Sequence, residues 1–268
     1  MRILLTNDDG IAAPGILALH RAISGRVSGE PMGEVLTVAP LTVQSATSHG
    51  VTFHQPLMVR AADVNGDEGI AVDGRPADCA KLALTNLWPE RYGDGRRPDL
   101  VISGMNAGAN VGVNVIYSGT VAAAIEAAFI GVPSIAVSLH LGKGAADFDR
   151  AAACARRVLD TIVSTGPIEP HTCINVNIPA TEFWEADPAI VVCPMNTHAL
   201  VDRYERRLSP GGDVYYWASG DGMAFRGADA GTDVAHLFER HVVVTPLRFD
   251  LTDSRTIDAW RSRFGSEI

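Results

Sequence analysis

The 268-residue chain is short of basic charge: 22 Lys and Arg stand against 31 Asp and Glu, a formal net charge of -9. Affinity for polyanions comes mainly from Lys and Arg neutralising phosphates, so no basic track for nucleic acid is expected. A small anionic substrate is still compatible with this charge where a local cation or an amide cradle offsets it. Cysteine is scarce too. Cys79, Cys154, Cys173 and Cys193 form no C-x-x-C pair, which argues against a zinc knuckle or a disulfide framework and for reduced core thiols. No apolar run reaches membrane-spanning length. The N-terminus passes from Ile3-Leu4-Leu5 into Thr6-Asn7-Asp8-Asp9 before a signal-peptide core could form. The expectation is a cytoplasmic protein with no membrane partner.

What is present is core: 47% of the residues are hydrophobic, enough for one substantial α/β domain with an appended piece. Short apolar runs alternate with helical patterns, the mark of strands joined by crossover helices. The expected fold is therefore α/β, a Rossmann-like, doubly wound, mostly parallel sheet with a C-terminal β-hairpin extension. Buried strands are predicted at 3–6, 35–39, 100–102, 135–138 and 173–176. Helices are predicted from Pro14 to Gly25, at 77–87, from Gly119 to Ile130, and at 145–165. Residues 51–59 and 70–72 suggest a hairpin-like excursion. Further on, 196–231 is rich in charge, Gly and aromatics, with a strand at 214–217, and the pattern closes with a strand at 241–246 and an amphipathic helix at 253–264. This gives a single domain over 1–268, divided into a catalytic core at 1–182, a hairpin arm and returning strand at 183–250, and a C-terminal helix at 251–268.

In an open parallel sheet, ligands sit beyond the carboxyl ends of the strands. Three polar loops fall there: one with Asp8 and Asp9, one with Ser45 and Ser48, and one with Asn106 and Asn110. Carboxylates, a hydroxyl and a carboxamide oxygen make a hard, all-oxygen donor set suited to Mg²⁺ or Mn²⁺, with Ca²⁺ an acceptable substitute in crystals. Each loop also has a plainer reading. Asn7-Asp8-Asp9-Gly10 is sound turn chemistry, and isolated serines are commonly loop hydroxyls or helix caps. The Gly/Asn run from Gly104 through Gly108 to Gly112 lets backbone amides approach an anion, but it lacks the Lys-Ser/Thr of a Walker A loop. Ser118, Gly119 and Thr120 open a helix, where free amides and the dipole favour phosphate; the plainer reading is an ordinary N-cap. His49 and His54 lie on or just after the second loop, His140 follows the fourth buried strand, and Glu126 is expected to face solvent or a structural partner.

Together these segments resemble the survival protein SurE family. The likeness runs through Ile3-Leu4-Leu5-Thr6-Asn7-Asp8-Asp9-Gly10, Ala13-Pro14-Gly15-Ile16, Val38-Ala39-Pro40, Ser45 and Pro76-Ala77-Asp78-Cys79. It continues in Ser103-Gly104-Met105-Asn106-Ala107-Gly108, Asn110, Tyr117-Ser118-Gly119-Thr120, Asn175-Val176-Asn177-Ile178-Pro179, Gly231-Thr232-Asp233 and Thr245-Pro246-Leu247. The order of these motifs carries the resemblance. It implies a metal-dependent phosphomonoesterase acting on nucleoside 5′-monophosphates, and in some members on 3′-monophosphates and polyphosphate. By the same resemblance Asp8, Asp9, Ser45 and Asn106 would hold the metal, and Ser48, Gly108, Asn110, Ser118, Gly119 and Thr120 would face substrate phosphate. Dimers or tetramers with exchanged C-terminal segments are implied as well, the arm being 196–230. This chain departs from the family in its second loop, where Leu41-Thr42-Val43-Gln44 replaces the usual Asp-Arg pair after Ala-Pro, and at Asn114 and Arg75.

The reaction expected is in-line attack of water on the phosphorus, with Asp8 or Asp9 as base and loop amides stabilising the equatorial oxygens. Covalent attack by Asp8 is the rival route. A nucleotide-binding or sensing module that does not turn over is the alternative from another class.

Overall fold

The apolar run Ile3-Leu4-Leu5 forms β1 (Arg2–Thr6), buried from its second residue onward, as a strand covered on both faces must be. The computed structural model describes all residues except Ser28, Phe183, Asp221 and 266–268. The last three of the expected 251–268 helix segment therefore lie outside the described residues.

Next to β1 lie β2 (Glu34–Pro40) on one side and β5 (Leu100–Ala107) on the other, both parallel to it. The sheet continues through β6 (Ser134–Leu139) and β7 (Cys173–Ile178), also parallel. On the far side of β2 come β4 (Asp67–Asp73), parallel, and β3 (Met58–Val64), antiparallel to β4. After β7 the sheet takes in β11 (Val242–Leu247), antiparallel, and β8 (Ile190–Val192). The nine-stranded order is β3-β4-β2-β1-β5-β6-β7-β11-β8. A separate two-stranded antiparallel sheet pairs β9 (Tyr204–Leu208) with β10 (Val214–Ala218). The mostly parallel sheet and the C-terminal hairpin match the expected architecture.

Helices cover both faces. Pro14 sits at the start of α1 (Pro14–Ile23), which packs with α5 (Phe148–Ser164) over Ile3, Leu5 and Ile102. Asp147 caps α5 by accepting the Arg150 N–H. On the other face α2 (Pro76–Leu82) and α4 (Gly119–Ile130) cover Leu4, Val101 and Ala136. Ile16 and Leu19 of α1 are fully buried, and burial of such side chains stabilises by about 1.5–3 kcal/mol each.

Several boundaries differ from the sequence reading. The hairpin strand expected at 51–59 is β3 at Met58–Val64, because the Asn65-Gly66 turn sets the register. Both turn residues have positive φ, 56° and 87°, as a two-residue hairpin turn demands. The helix expected at 77–87 runs on as a π segment (Ala83–Leu87) into α3 (Trp88–Tyr92), drawn along by Trp88, which is fully buried. The strand expected at 100–102 extends to Ala107, so the Gly/Asn run begins inside the sheet. To the hairpin arm and returning strand expected over 183–250, the structure adds β8 and a short helix, α6 (Asp233–Phe238). α7 (Ile257–Phe264) closes the chain with none of its residues buried.

Candidate active site

β1 ends at Thr6 and releases Asn7-Asp8-Asp9-Gly10 at the carboxyl edge of the sheet. The turn is held from within by Asn7 Nδ2, which donates to the Gly10 carbonyl at 2.8 Å. Asp8 is nearly buried, and its Oδ1 accepts the Thr120 hydroxyl at 2.5 Å. Asp9 turns the other way, and its Oδ2 accepts the Ala107 N–H at 2.8 Å. The Asp8 carbonyl accepts the Gln44 N–H at 2.7 Å. One short turn thus touches the end of β5, the start of α4 and the second loop.

Close backbone approach is built into these contacts. A Cβ on Gly119 would lie 2.9 Å from Asp8 Cβ and 3.0 Å from Asp8 Oδ2, so glycine lets the first turn of α4 press against the carboxylate. A Cβ on Gly104, at φ +141°, would sit 2.2 Å from the Val137 carbonyl oxygen. The β5–β6 register shifts between Gly104 and Asn106, across a cis Gly104–Met105 peptide. Such irregularities re-aim side chains at strand ends, and Asn106 emerges here half-buried, its Nδ2 donating to the Gly108 carbonyl at 2.7 Å.

The remaining predicted residues fall around this turn in different ways. Ser45 is exposed, one residue beyond Gln44. Ser48 is tied to the segment before α4: its N–H donates to the Tyr117 carbonyl at 3.1 Å and its hydroxyl to the Ile116 carbonyl at 2.8 Å. Ser118 serves as the α4 N-cap, accepting the Val121 N–H at 3.0 Å, which is the plainer role considered for it. The Gly119 and Thr120 N–H groups belong to the first helical turn and have no intrahelical acceptor, and the Thr120 N–H is directed at the Asp8 carboxylate. Asn110 is buried and fastened on three sides. Its N–H donates to Asn177 Oδ1 at 2.7 Å and its Nδ2 to Ser138 Oγ at 2.8 Å, and its carbonyl accepts from Asn175 and Asn177.

Electrostatics set the acidic pair apart. Burial, with the neighbouring Asp9 charge adding to it, pushes the Asp8 carboxyl up to about 6 against the pull of the Thr120 hydroxyl. Burial also raises Asp9, against the Ala107 N–H. No basic side chain among the described residues acts on either group. A buried carboxylate beside a half-buried one, with no basic side chain among the described residues acting on either, suits a hard divalent cation.

Other residues act as supports. Glu126 is buried rather than solvent-facing; it accepts from His49 Nε2 and from Lys81 Nζ, both at 2.8 Å, and so pins the second loop and α2 to α4. His54 is exposed, and His140 lies edge-on to Phe238 at 5.8 Å. Sequence reasoning gave no role to Asp78 or Asp233. Asp78 accepts from the Thr52 N–H and hydroxyl and from the Arg75 N–H, latching the second loop to α2. Asp233 is fully buried and accepts the N–H groups of Gly112, Asn196 and Val234, so α6 anchors the far end of the Gly/Asn loop. Its signal in the sequence is its place in the Gly231-Thr232-Asp233 motif, at the first position of a short helical pattern.

The fold and this turn define a Rossmann-like α/β protein with an uncompensated acidic pair at the carboxyl end of its first strand. Comparison with known proteins narrows the class. A family model described as Survival protein SurE matches residues 3–201. The chain is 42% identical over 262 residues to a 5′-nucleotidase SurE of Desulforudis audaxviator, spanning 97% of this chain and 96% of that one. It is 45% identical over 257 residues to a 5′-nucleotidase SurE of Rhodopirellula baltica, spanning 94% of each. The crystal structure of the SurE protein from Aquifex aeolicus is similar in fold, with a TM-score of 0.80 at 33% identity, over 98% of this chain and all of that one. The chain belongs to the survival protein SurE family.

Proposed function

We propose that this chain is a metal-dependent 5′-nucleotidase that hydrolyses nucleoside 5′-monophosphates to nucleoside and phosphate, with 3′-monophosphates and short polyphosphate as further substrates. The observation that carries this reading is the meeting of Asp8 and Asp9 with Thr120 at the α4 N-terminus and Ala107 at the end of β5. An acidic pair that favours a cation and a helix end that favours an anion share one place. The names of the relatives agree with the 5′-nucleotidase part of this reading.

Asp8, Asp9, Asn106 and Ser45 are the residues that would hold a Mg²⁺ or Mn²⁺ ion. When bound, such an ion polarises a phosphoryl oxygen and lowers the pKa of a water. The protein does the rest. The Gly119 amide binds a phosphoryl oxygen and stabilises its charge as it grows, while the Gly108 N–H, which donates to the Leu139 carbonyl, and the Thr120 N–H, which faces Asp8, hold the seat in shape. Thr120 holds Asp8 in one rotamer through its hydroxyl, and the Ala107 N–H does the same for Asp9. Either carboxylate takes the proton of the attacking water. Asn110, locked by Asn175 and Asn177, keeps the Gly/Asn loop in the shape that receives the phosphate.

The arm fits the exchange between subunits that the family resemblance implies. In the arm Tyr204, Tyr216 and Trp217 are largely exposed, as are Trp260 and Phe264 of the C-terminal helix, and an apolar cavity of about 870 Å³ lies between α4 and β11, next to Ser48 and Ser118. We place the working unit as a homodimer or homotetramer in the cytoplasm, a setting that agrees with four buried, unpaired cysteines. No helix among the described residues is long and apolar enough to cross a membrane. The test is phosphate release from a panel of nucleoside monophosphates with each divalent ion. Metal-dependent release from 5′-monophosphates supports the reading, whereas tight nucleotide binding without release would favour a sensor.

A further inference from the structure

α6 ends in a Schellman motif. Glu239 is its cap, Arg240 follows in the left-handed region at φ 66°, and two reverse hydrogen bonds close the turn. The Arg240 N–H donates to the Leu237 carbonyl, and the His241 N–H to the His236 carbonyl, both at 3.0 Å. The second bond brings two histidines, five positions apart in sequence, side by side, with their rings 5.4 Å apart. Glu239 sits between them.

The side-chain geometry is that of a ligand set. His236 Nδ1 lies 3.2 Å and His241 Nδ1 3.6 Å from Glu239 Oε2, and ligand atoms from all three residues lie within 4.8 Å of one another. Bonds of about 2.0–2.1 Å to a tetrahedral zinc ion put neighbouring ligands about 3.3 Å apart. His241 Nδ1 is shielded from water and has no hydrogen-bond partner, so an ion-pair network alone leaves it unsatisfied. We propose that His236, Glu239 and His241 form a second metal site, for Zn²⁺ or a similar borderline transition metal, with a water in the fourth position. Two imidazoles and one carboxylate are a borderline set, unlike the all-oxygen donors around Asp8, so the two sites select different ions. The ion would clasp the end of α6 to the start of β11. Asp233 at the other end of α6 holds the Gly112 amide, so the clasp would also steady the loop that carries Asn110.

The test is titration of chelator-treated protein with Co²⁺ and Zn²⁺, following the visible d–d absorption of cobalt and the heat of zinc binding. Wild type and Asp8→Asn should show an intense tetrahedral cobalt band and bind one zinc equivalent, and zinc should raise the melting temperature of both. His241→Ala and His236→Gln should lose the band and bind zinc at least about 100-fold more weakly. Should His241→Ala fail to fold, His236→Gln at the half-exposed ring carries the comparison alone. No tetrahedral band in the wild type, or an unchanged band and zinc affinity in His236→Gln, would overturn the site.

Discussion

β1 and β9 are each five residues long, yet β1 buries four of its residues and β9 none. β10 is just as exposed, although it reads Val-Tyr-Tyr-Trp-Ala, with Tyr216 and Trp217 more than half open to solvent. Strand-forming residues are plentiful in both β1 and β10; what separates them is what covers the strand. β1 is sandwiched between helices, and its loop is placed by contacts within one chain. An exposed aromatic hairpin, and a closing helix whose Trp260 and Phe264 stand open to solvent, are instead the marks of an interaction surface. The comparison teaches that the acidic turn is pre-formed by contacts within a single chain, whereas the described residues of that chain leave β9 and β10 uncovered.

The sharpest way to break that comparison is at the turn itself. Asp8→Asn removes a charge from the proposed ion site and should cost about 4 kcal/mol of transition-state stabilisation, roughly a thousandfold in kcat. Its melting temperature should hardly fall, because an amide at this buried position need not be desolvated as a charge. Steady-state kinetics with thermal denaturation checks both, and near-normal turnover would contradict the assigned role. Gly119→Ala comes next. Its Cβ would press on Asp8 and Pro76, and a shift of the carboxylate by a few tenths of an ångström up to one ångström should lower kcat by up to about a hundredfold.

A third effect is pH dependence. Asp8, raised to about 6 in the folded chain, lies above the ordinary value for a free aspartate. In the metal-free protein it therefore contributes stability that is fully present below about pH 4 and lost as the pH rises through 6. The divalent ion needs the ionised carboxylate, so its affinity should fall by about tenfold per pH unit below 6. Calorimetric titration at pH 5, 6 and 7 measures this, and a flat profile would break the link between Asp8 and the ion. The smallest effect is expected in the arm. Trp217→Ser should change the unfolding free energy of the isolated chain by no more than about 0.5 kcal/mol, while shifting the oligomer toward monomer in sedimentation. A large loss of stability in the monomer would mean that the arm packs on its own core.

Much of this was legible in the sequence, and where it was not the reason is physical. Buried strands show as short apolar runs, so β1, β2, β6 and β7 are legible to within one or two residues, and Asp8 and Asp9 are the acidic residues that follow a buried strand, just after Asn7. What stayed hidden depends on partners far along the chain. The lock on Asn110 comes from Asn175 and Asn177 across two strands, and Asp233 reaches Gly112 over more than a hundred residues. Glu126 sits on an Ala-rich helix with no polar face of its own, and only the fold brings His49 and Lys81 to it. The hairpin of β3 and β4 lies further along than the apolar residues at 51–59 suggest, because the Asn65-Gly66 turn fixes its register. Ser118 shows the reverse case: the ordinary cap was the role observed.

The central claim is that oxygen donors from separate strand-end loops meet around one hard cation. A crystal structure of the Mn²⁺-soaked protein, with anomalous scattering to place the ion, tests it most directly. The account predicts a single strong peak bonded to Asp8 and Asp9, with Asn106 and Ser45 completing the protein ligands. Manganese bound elsewhere, with those four residues sharing no ion, would contradict it.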